Sequence, residues 1–349
     1  MTLAAFLSHL LFAFVLFVLS LVLTRFMLHR VRIMDLPNPR SSHHSPTPKS
    51  GGISIVCTFL IGVVIIFVVS DKVLIRQDYF YGFVFSAVLI GAISLYDDIK
   101  NKPFVIRLFT QLLAVFLVLM FGLVIDRIYL PFSGLVVLGW LGYPISFIWI
   151  MGMTNAYNFM DGLDGLAASV AVVVSIFFCA ITFSQGSLFV YITSYTLLAG
   201  ALGFLIYNLP PARIFMGDVG STFLGFVFAV LAIIAARYDH SHTSFMVMPL
   251  LLFNFIFDTF FTFMRRLLRG ERVIDAHRTH LYQLFNRLGY GHLTVTLVHI
   301  GVCILQGVAA VWMVSIPDGE RTLVFLPFVV FQFVYAYVII TRAKKARLL

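Results

Sequence analysis

Apolar residues in this chain come in nearly unbroken runs of about twenty, the length a helix needs to cross roughly 30 Å of hydrocarbon. Lipid leaves only helix bundles and closed barrels as spanning structures, and the short alternating segments of barrel strands are missing. The expected fold is therefore all-α and polytopic. Eleven spans are predicted, at about 3–28, 52–70, 79–96, 104–125, 141–157, 166–184, 188–207, 220–236, 244–264, 293–316 and 323–341. The balance of 61% hydrophobic against 11% charged residues agrees, since soluble chains carry about 25% charged residues. The first run has no small-residue cleavage site and reads as a retained span. Residues 1–349 read as one integral membrane domain.

Charge orients this arrangement. One set of alternate loops, with the C-terminal tail, holds seventeen Lys and Arg residues and the other set holds five. Basic residues stay on the cytoplasmic side, so the N-terminus is expected outside and the C-terminus in the cytoplasm. Segment 126–140 reads as an external loop, because a twelfth span there would erase the asymmetry. The net charge of +9 thus belongs to a membrane face. With no soluble stretch long enough for a basic domain, nucleic acid is not an expected partner. Cys57, Cys179 and Cys303 lie inside apolar runs without metal-ligand spacing and read as inert thiols.

On this map the polar residues gather on the cytoplasmic side, in loops at about 29–51, 97–103, 155–165, 208–219 and 265–292. Carboxylates at the edge of hydrocarbon are costly, and a cluster of them calls for a cation, a substrate or water. Asp97 and Asp98 are adjacent and repel unless a divalent metal, Lys100 or Lys102 keeps both ionised; a hydrophilic helix stop also explains them. Asn155, Asn158, Asp161 and Asp164 recur every third residue, with Gly162 and Gly165 allowing close backbone approach. Such oxygen ligands suit Mg²⁺. Pro210 and Pro211 stop one helix, and Gly217 to Ser221 opens the next, where free N–H groups favour an anion and Asp218 can cap. The Pro-rich stretch 35–52 reads as an extended loop offering Arg40, His43, His44 and Lys49 to an anion. In 265–292, six arginines accompany His277 and His280, which a helix would place on one face. A basic helix lying on anionic lipid explains that segment equally well.

Taken in order, DLPNPRSSHHSPTPKSGG, DDIKN, NAYNFMDGLDGLA, NLPPARIFMGDVGS and HRTHLYQ resemble the polyprenyl-phosphate N-acetylhexosamine-1-phosphate transferase family, glycosyl transferase family 4. The resemblance spans residues 35 to about 292. It implies Mg²⁺-dependent transfer, with Mn²⁺ as an alternative ion, of a sugar 1-phosphate from a UDP-N-acetylhexosamine to undecaprenyl phosphate, releasing UMP. It implies Asp97 as the base with Asp98 beside it, and Asn158 and Asp218 as metal ligands. Asn155, Asp161, Gly162, Leu163, Asp164 and Asn208 fall at nucleotide-sugar positions. Lys49, His277, Arg278 and His280 fall at phosphate-binding positions.

HRTHLYQ looks like the O-antigen-initiating branch, whereas the peptidoglycan branch carries a motif richer in His. The implied setting is a bacterial inner membrane with the site facing the cytoplasm. Lipid is the expected surrounding, and the Phe-rich helices suit a homodimer face as well as lipid. The competing readings are a phospho-MurNAc-pentapeptide transferase and a secondary transporter. Transporters place their binding residues near the midplane, whereas these polar groups gather at one surface.

Overall fold

The computed structural model of the chain describes residues 3–31, 33–37, 45–69, 75–100, 104–130, 134–239, 241–272, 275 and 277–349. Helices occupy all eleven apolar runs: α1 (Leu3–Arg30), α2 (Gly52–Val69), α3 (Gln77–Lys100), α4 (Phe104–Met120), α5 (Gly142–Phe159), α6 (Leu166–Ser184), α7 (Phe189–Asn208), α8 (Gly217–Ile233), the pair α9 (Val247–Leu251) and α10 (Phe253–Leu268), α12 (His292–Met313) and α13 (Leu326–Lys345). A short helix, α11 (Leu281–Arg287), lies between α10 and α12. Among the described residues, eight of the helices are long and apolar enough on their own to cross a membrane. The others are α4, α5 and the α9–α10 pair, which breaks at Leu252. The chain is thus a helical, multi-pass membrane protein with little sheet.

Among its described residues, segment 126–140 holds no α-helix. Strands β3 (Arg127–Leu130) and β4 (Gly134–Val137) pair there as an antiparallel hairpin. The Pro-rich stretch has extended backbone where it is described: β1 (Met34–Asp35) pairs antiparallel with β2 (Thr47–Pro48). Arg40, His43, His44 and Lys102 lie outside the described residues.

Helix α8 is the axis of the bundle. Every residue from Val219 to Ile233 is buried, whereas only 11% of the apolar window of α1 is, so α1 belongs to the lipid-facing rim. Lipid tails are as apolar as side chains, so close packing and interhelical hydrogen bonds hold such a bundle together. Glycine provides the close packing. A Cβ on Gly52 would lie 2.4 Å from the Gly220 nitrogen, and one on Gly225 would lie 2.6 Å from the Met153 carbonyl oxygen. Hydrogen bonds add to it: the Thr24 hydroxyl donates to Ser54 (2.7 Å) and the Ser20 hydroxyl to the Gly200 carbonyl (2.7 Å). Each such bond contributes about 0.6 kcal/mol in a membrane protein.

At one end of the bundle this packing fixes the polar segments. The Phe215 amide donates to the Pro48 carbonyl (2.7 Å), while the Gly51 and Gly52 amides donate to Phe215 and Met216 (3.0 and 2.8 Å). Residues 48–52 are thereby tied to the entry of α8, with Lys49 beside the last turn of α3.

Candidate active site

The carboxylates at the end of α3 face the start of α8. Asp98 is buried, with 4% of its side chain exposed, and accepts hydrogen bonds from the amides of Val219 (2.9 Å) and Asp218 (3.3 Å). The helix N–H groups expected to hold an anionic ligand are therefore taken by Asp98, which caps α8 from another helix. Charge-assisted bonds of about 1.5–3 kcal/mol each offset much of the cost of burying this carboxylate. Lys49 Nζ lies 3.6 Å from Asp98 Oδ1 and Arg107 Nε 4.0 Å from Asp97 Oδ2. The cations beside the acidic pair are thus Lys49 and Arg107, whereas Lys100 is exposed in the last turn of α3. Gly217, at φ +73°, makes room for this approach: a Cβ there would meet the Lys49 carbonyl oxygen at 2.4 Å and Asp98 Oδ2 at 2.7 Å.

Asp218 is the open member, with 30% of its side chain exposed. Its Oδ2 pairs with the Arg107 guanidinium, and its Oδ1 accepts from Asn158 Nδ2 (2.9 Å), which also donates to the Ser221 hydroxyl (2.9 Å). Helices α3, α4, α5 and α8 thus bring Asp97, Asp98, Arg107, Asn158 and Asp218 together. Every metal donor here is a hard oxygen, from a carboxylate or the Asn158 carboxamide, which suits Mg²⁺. Among the described residues no group of three or more His, Cys, Asp or Glu side chains forms a ready cage. A cation that takes one or two protein oxygens and fills its shell with phosphate and water needs none.

The turn after α5 borders this cluster. Burial and the carboxylates of Asp218, Asp98 and Asp164 push the Asp161 carboxyl up to about 8. Asp164 is engaged on both oxygens, accepting from the Ala212 amide (3.1 Å) and lying 3.2 Å from His292 Nδ1. Asn208 is buried and equally engaged: Oδ1 accepts from the Gly165 amide (3.1 Å) and Nδ2 donates to the Ile214 carbonyl (2.9 Å). Leu163 is buried as well. These residues shape the turn, while the Asp161 carboxyl feels the charges of Asp218 and Asp98 in the cluster. Asn155 turns towards α4, donating to Gln111 Oε1 (2.9 Å).

The histidines do not share a helical face, because residues 277–280 are not helical and His280 is the N-cap of α11. Their rings nonetheless stack, with centroids 5.0 Å apart. His280 is buried against Asp258, Nδ1 to Oδ1 3.2 Å. His277 is half-buried, and burial together with His280, Arg266 and Arg265 pushes its imidazole down to about 4. Its Nδ1 accepts from the Thr279 amide (3.3 Å), so the proton of the neutral ring sits on Nε2. Burial and Arg287 also lower the Arg278 guanidinium. Several arginines of this segment brace the loop: Arg265 donates to the Thr279 carbonyl (2.6 Å), Arg266 to those of Arg272 and Asp275 (2.7 and 3.1 Å), and Arg287 to that of Arg278 (3.0 Å).

The motifs did not single out Arg107, Gln111, Asp258 or His292, and they gave no role to Tyr282, which lies inside HRTHLYQ. Arg107 and Asp258 carry one signal in retrospect: each is a charged residue inside an apolar run.

Comparisons with known proteins bear on the family and the enzyme class. The model of glycosyl transferase family 4 matches residues 80–236. A protein of Bacillus subtilis described as a probable undecaprenyl-phosphate N-acetylglucosaminyl 1-phosphate transferase is 29% identical, over 87% of this chain and 84% of that protein. A decaprenyl-phosphate N-acetylglucosaminephosphotransferase of Mycobacterium leprae is 26% identical, over 77% and 74%. A phospho-N-acetylmuramoyl-pentapeptide-transferase of Chlamydia muridarum is 44% identical, over only 30% of this chain and 34% of that protein. The positions of Asp97, Asp98, Arg107, Asn158 and Asp218 fall within the matched range 80–236. By these likenesses the chain is a phosphoglycosyl transferase, similar over residues 80–236 to glycosyl transferase family 4.

Proposed function

We propose that the chain transfers an N-acetylhexosamine 1-phosphate from a UDP-sugar to undecaprenyl phosphate, releasing UMP. The carrying observation is the cluster of Asp97, Asp98, Asn158 and Asp218 with Lys49 and Arg107 at one end of a membrane bundle. A lipid phosphate anchored in the bilayer meets a soluble nucleotide only at such a surface. The reaction gathers three phosphates, so neutralising charge and holding the reactants in line are the main tasks. An oxygen of the lipid phosphate attacks the β-phosphorus of the UDP-sugar. The new P–O bond makes the lipid diphosphate, and the bond to the bridging oxygen breaks, its electron pair leaving with UMP.

In this reading Asp97 takes the proton of the attacking phosphate. Asp98 holds the start of α8 so that Asp218 faces the reactants. Arg107 and Lys49 exchange their carboxylate partners for phosphate oxygens as substrates arrive. Asp218 and Asn158 would hold Mg²⁺, which supplies positive charge to the diphosphate when bound. His277, neutral with its proton on Nε2, offers that N–H to a phosphate oxygen as a hydrogen-bond donor rather than as a charge. Arg278 and His280 belong to the same segment, where His280 serves chiefly to fix the backbone. Orientation follows the charge asymmetry: eleven spans, the N-terminus outside, and the site at the cytoplasmic face of a bacterial inner membrane.

The names of the similar Bacillus and Mycobacterium proteins support UDP-N-acetylglucosamine as the first donor to test. HRTHLYQ supports an O-antigen or related surface polysaccharide as the downstream product. Purified enzyme with undecaprenyl phosphate and Mg²⁺ should release UMP from one of UDP-GlcNAc, UDP-FucNAc or UDP-QuiNAc. Absence of UMP and of labelled lipid with all three would sink the reading. The local likeness to the Chlamydia muridarum protein favours one second reading, and UMP release from UDP-MurNAc-pentapeptide alone would establish it.

A further inference from the structure

The charged residue within the run that forms α10 has no part in the chemistry above, yet it is almost fully buried. Asp258 is 1% exposed. Its Oδ1 accepts from the Leu281 amide (2.9 Å) and the Thr262 hydroxyl (3.1 Å) and lies 3.2 Å from His280 Nδ1, while Oδ2 accepts from the Tyr282 amide (3.0 Å). A carboxylate in such surroundings is expensive, and one that gathers two successive backbone amides and an imidazole fixes three residues of a loop at once. Asn254, one turn earlier on α10, is held in turn: its Nδ2 lies 2.6 Å from His299 Nδ1 on α12, and its Oδ1 accepts from Gln332 Nε2 on α13 (2.6 Å). The register of α10 is therefore set against two neighbouring helices.

What Asp258 fixes reaches the site through Tyr282. The Tyr282 hydroxyl donates to the Phe159 carbonyl (2.8 Å) and receives Gln283 Nε2 (3.2 Å). It lies so near Gly162 that a Cβ there would fall 2.2 Å from the hydroxyl oxygen. Phe159 follows Asn158, the partner of Asp218, and Gly162 follows Asp161. One chain of contacts thus runs from a carboxylate in α10, through residues 280–282, to the turn 159–162.

We propose that Asp258 is a positioning residue for the donor side of the reaction: by fixing residues 280–282 it sets, through the Tyr282 hydroxyl, the turn 159–162 against which the sugar nucleotide binds. This rests on the reading given under Proposed function. In that reading the lipid phosphate is deprotonated by Asp97 on α3, off this path, so the acceptor should be little affected.

The test uses the full chain in lipid nanodiscs with three variants: Asp258→Asn, Tyr282→Phe and the double. Asparagine keeps the shape but turns an N–H₂ group towards a backbone amide, and Tyr282→Phe removes one oxygen atom. Loss of the hydrogen bond to the Phe159 carbonyl should raise the KM for the UDP-sugar about tenfold. The KM for undecaprenyl phosphate should stay within about twofold, since no contact to it is altered. Because both residues act on one path, the double variant should match Asp258→Asn alone instead of multiplying the two effects. Hydrogen exchange of amides 158–165, measured without substrate, should quicken in every variant.

Equal changes in both KM values, multiplicative effects in the double variant, or unchanged exchange at 158–165 would each overturn the proposal. If Asp258→Asn does not fold, Tyr282→Phe decides alone: unchanged donor KM and unchanged exchange overturn it. Should the wild-type enzyme transfer no hexosamine phosphate at all, the functional reading fails, while the exchange measurement still reports on the Asp258 path.

Discussion

At the scale of single residues, the open carboxylate of Asp218 sits between the Arg107 guanidinium and the Asn158 amide, so its removal withdraws the proposed metal donor together with one carboxylate partner of Arg107. Asp218→Ala should lower transfer by about 10²–10³-fold, the usual cost of losing one group that stabilises developing charge. The protein should still accumulate in the membrane, because Asp98 caps α8 through backbone amides that alanine retains. UMP release at saturating donor and Mg²⁺ measures this, and retention of more than a few per cent of wild-type activity removes Asp218 from the metal site.

His277 yields a pH prediction. Its imidazole is held down to about 4, against an ordinary value near 6.5, by burial and the neighbouring His280, Arg266 and Arg265. As pH falls from 6.5 towards 4, the unfolded chain takes up a proton that the folded one refuses, so stability present above 6.5 is lost through that window. His277→Gln should therefore show a shallower fall in melting temperature between pH 7 and pH 5 than the wild type; parallel curves would contradict it. The motifs made Asp97, Asp98, Asn158 and Asp218 legible because paired acids and amides are rare at the end of apolar runs. Arg107 and Asp258 were harder to read, since one charge inside an apolar run does not reveal which distant residue it meets.

Among the elements, the apolar runs located helix ends to within a few residues, but not the break at Leu252 or the α11 turn, where tertiary hydrogen bonds to Asp258 decide the backbone. Nor did they show that helix α8 would be central, since its run is no more apolar than that of α2, which is less buried. The decisive difference is glycine at the crossing. Gly52 and Gly220 bring α2 and α8 so close that a Cβ on either would lie 2.4–2.8 Å from backbone or Met216 atoms of the other segment, space that only helix separation can create. Separation would carry Lys49 and Asp218 apart, because both follow the same crossing. Gly220→Ala should cost about 1–3 kcal/mol of stability through overpacking and lower activity more than tenfold. Gly152→Ala, with nothing within 4 Å of its added carbon, serves as the control and should be neutral. Equal melting temperatures and activities for the two variants would refute the crossing argument.

Across the whole molecule, a shallow polar site at one end of a bundle makes sense only if that end faces the compartment that supplies the nucleotide. In the orientation proposed from the bias of seventeen basic residues against five, this end lies inside and residues 314–322 lie outside. Two exposed positions make the claim measurable: Arg272, in the segment between α10 and α11, and Gly319, in the short helical turn before α13, where an added carbon meets nothing within 4 Å. In a chain whose Cys57, Cys179 and Cys303 are replaced by alanine, Arg272→Cys should react with an impermeant thiol reagent only in inside-out vesicles. Gly319→Cys should react only in right-side-out vesicles. Labelling of both from the same side would mean an even number of crossings between residues 272 and 319, although among the described residues helix α12 is the single apolar span between them. Reversed labelling would put the acidic cluster on the outer face, away from the cytoplasmic UDP-sugar, and would exclude the proposed reaction at that site even with every carboxylate in place.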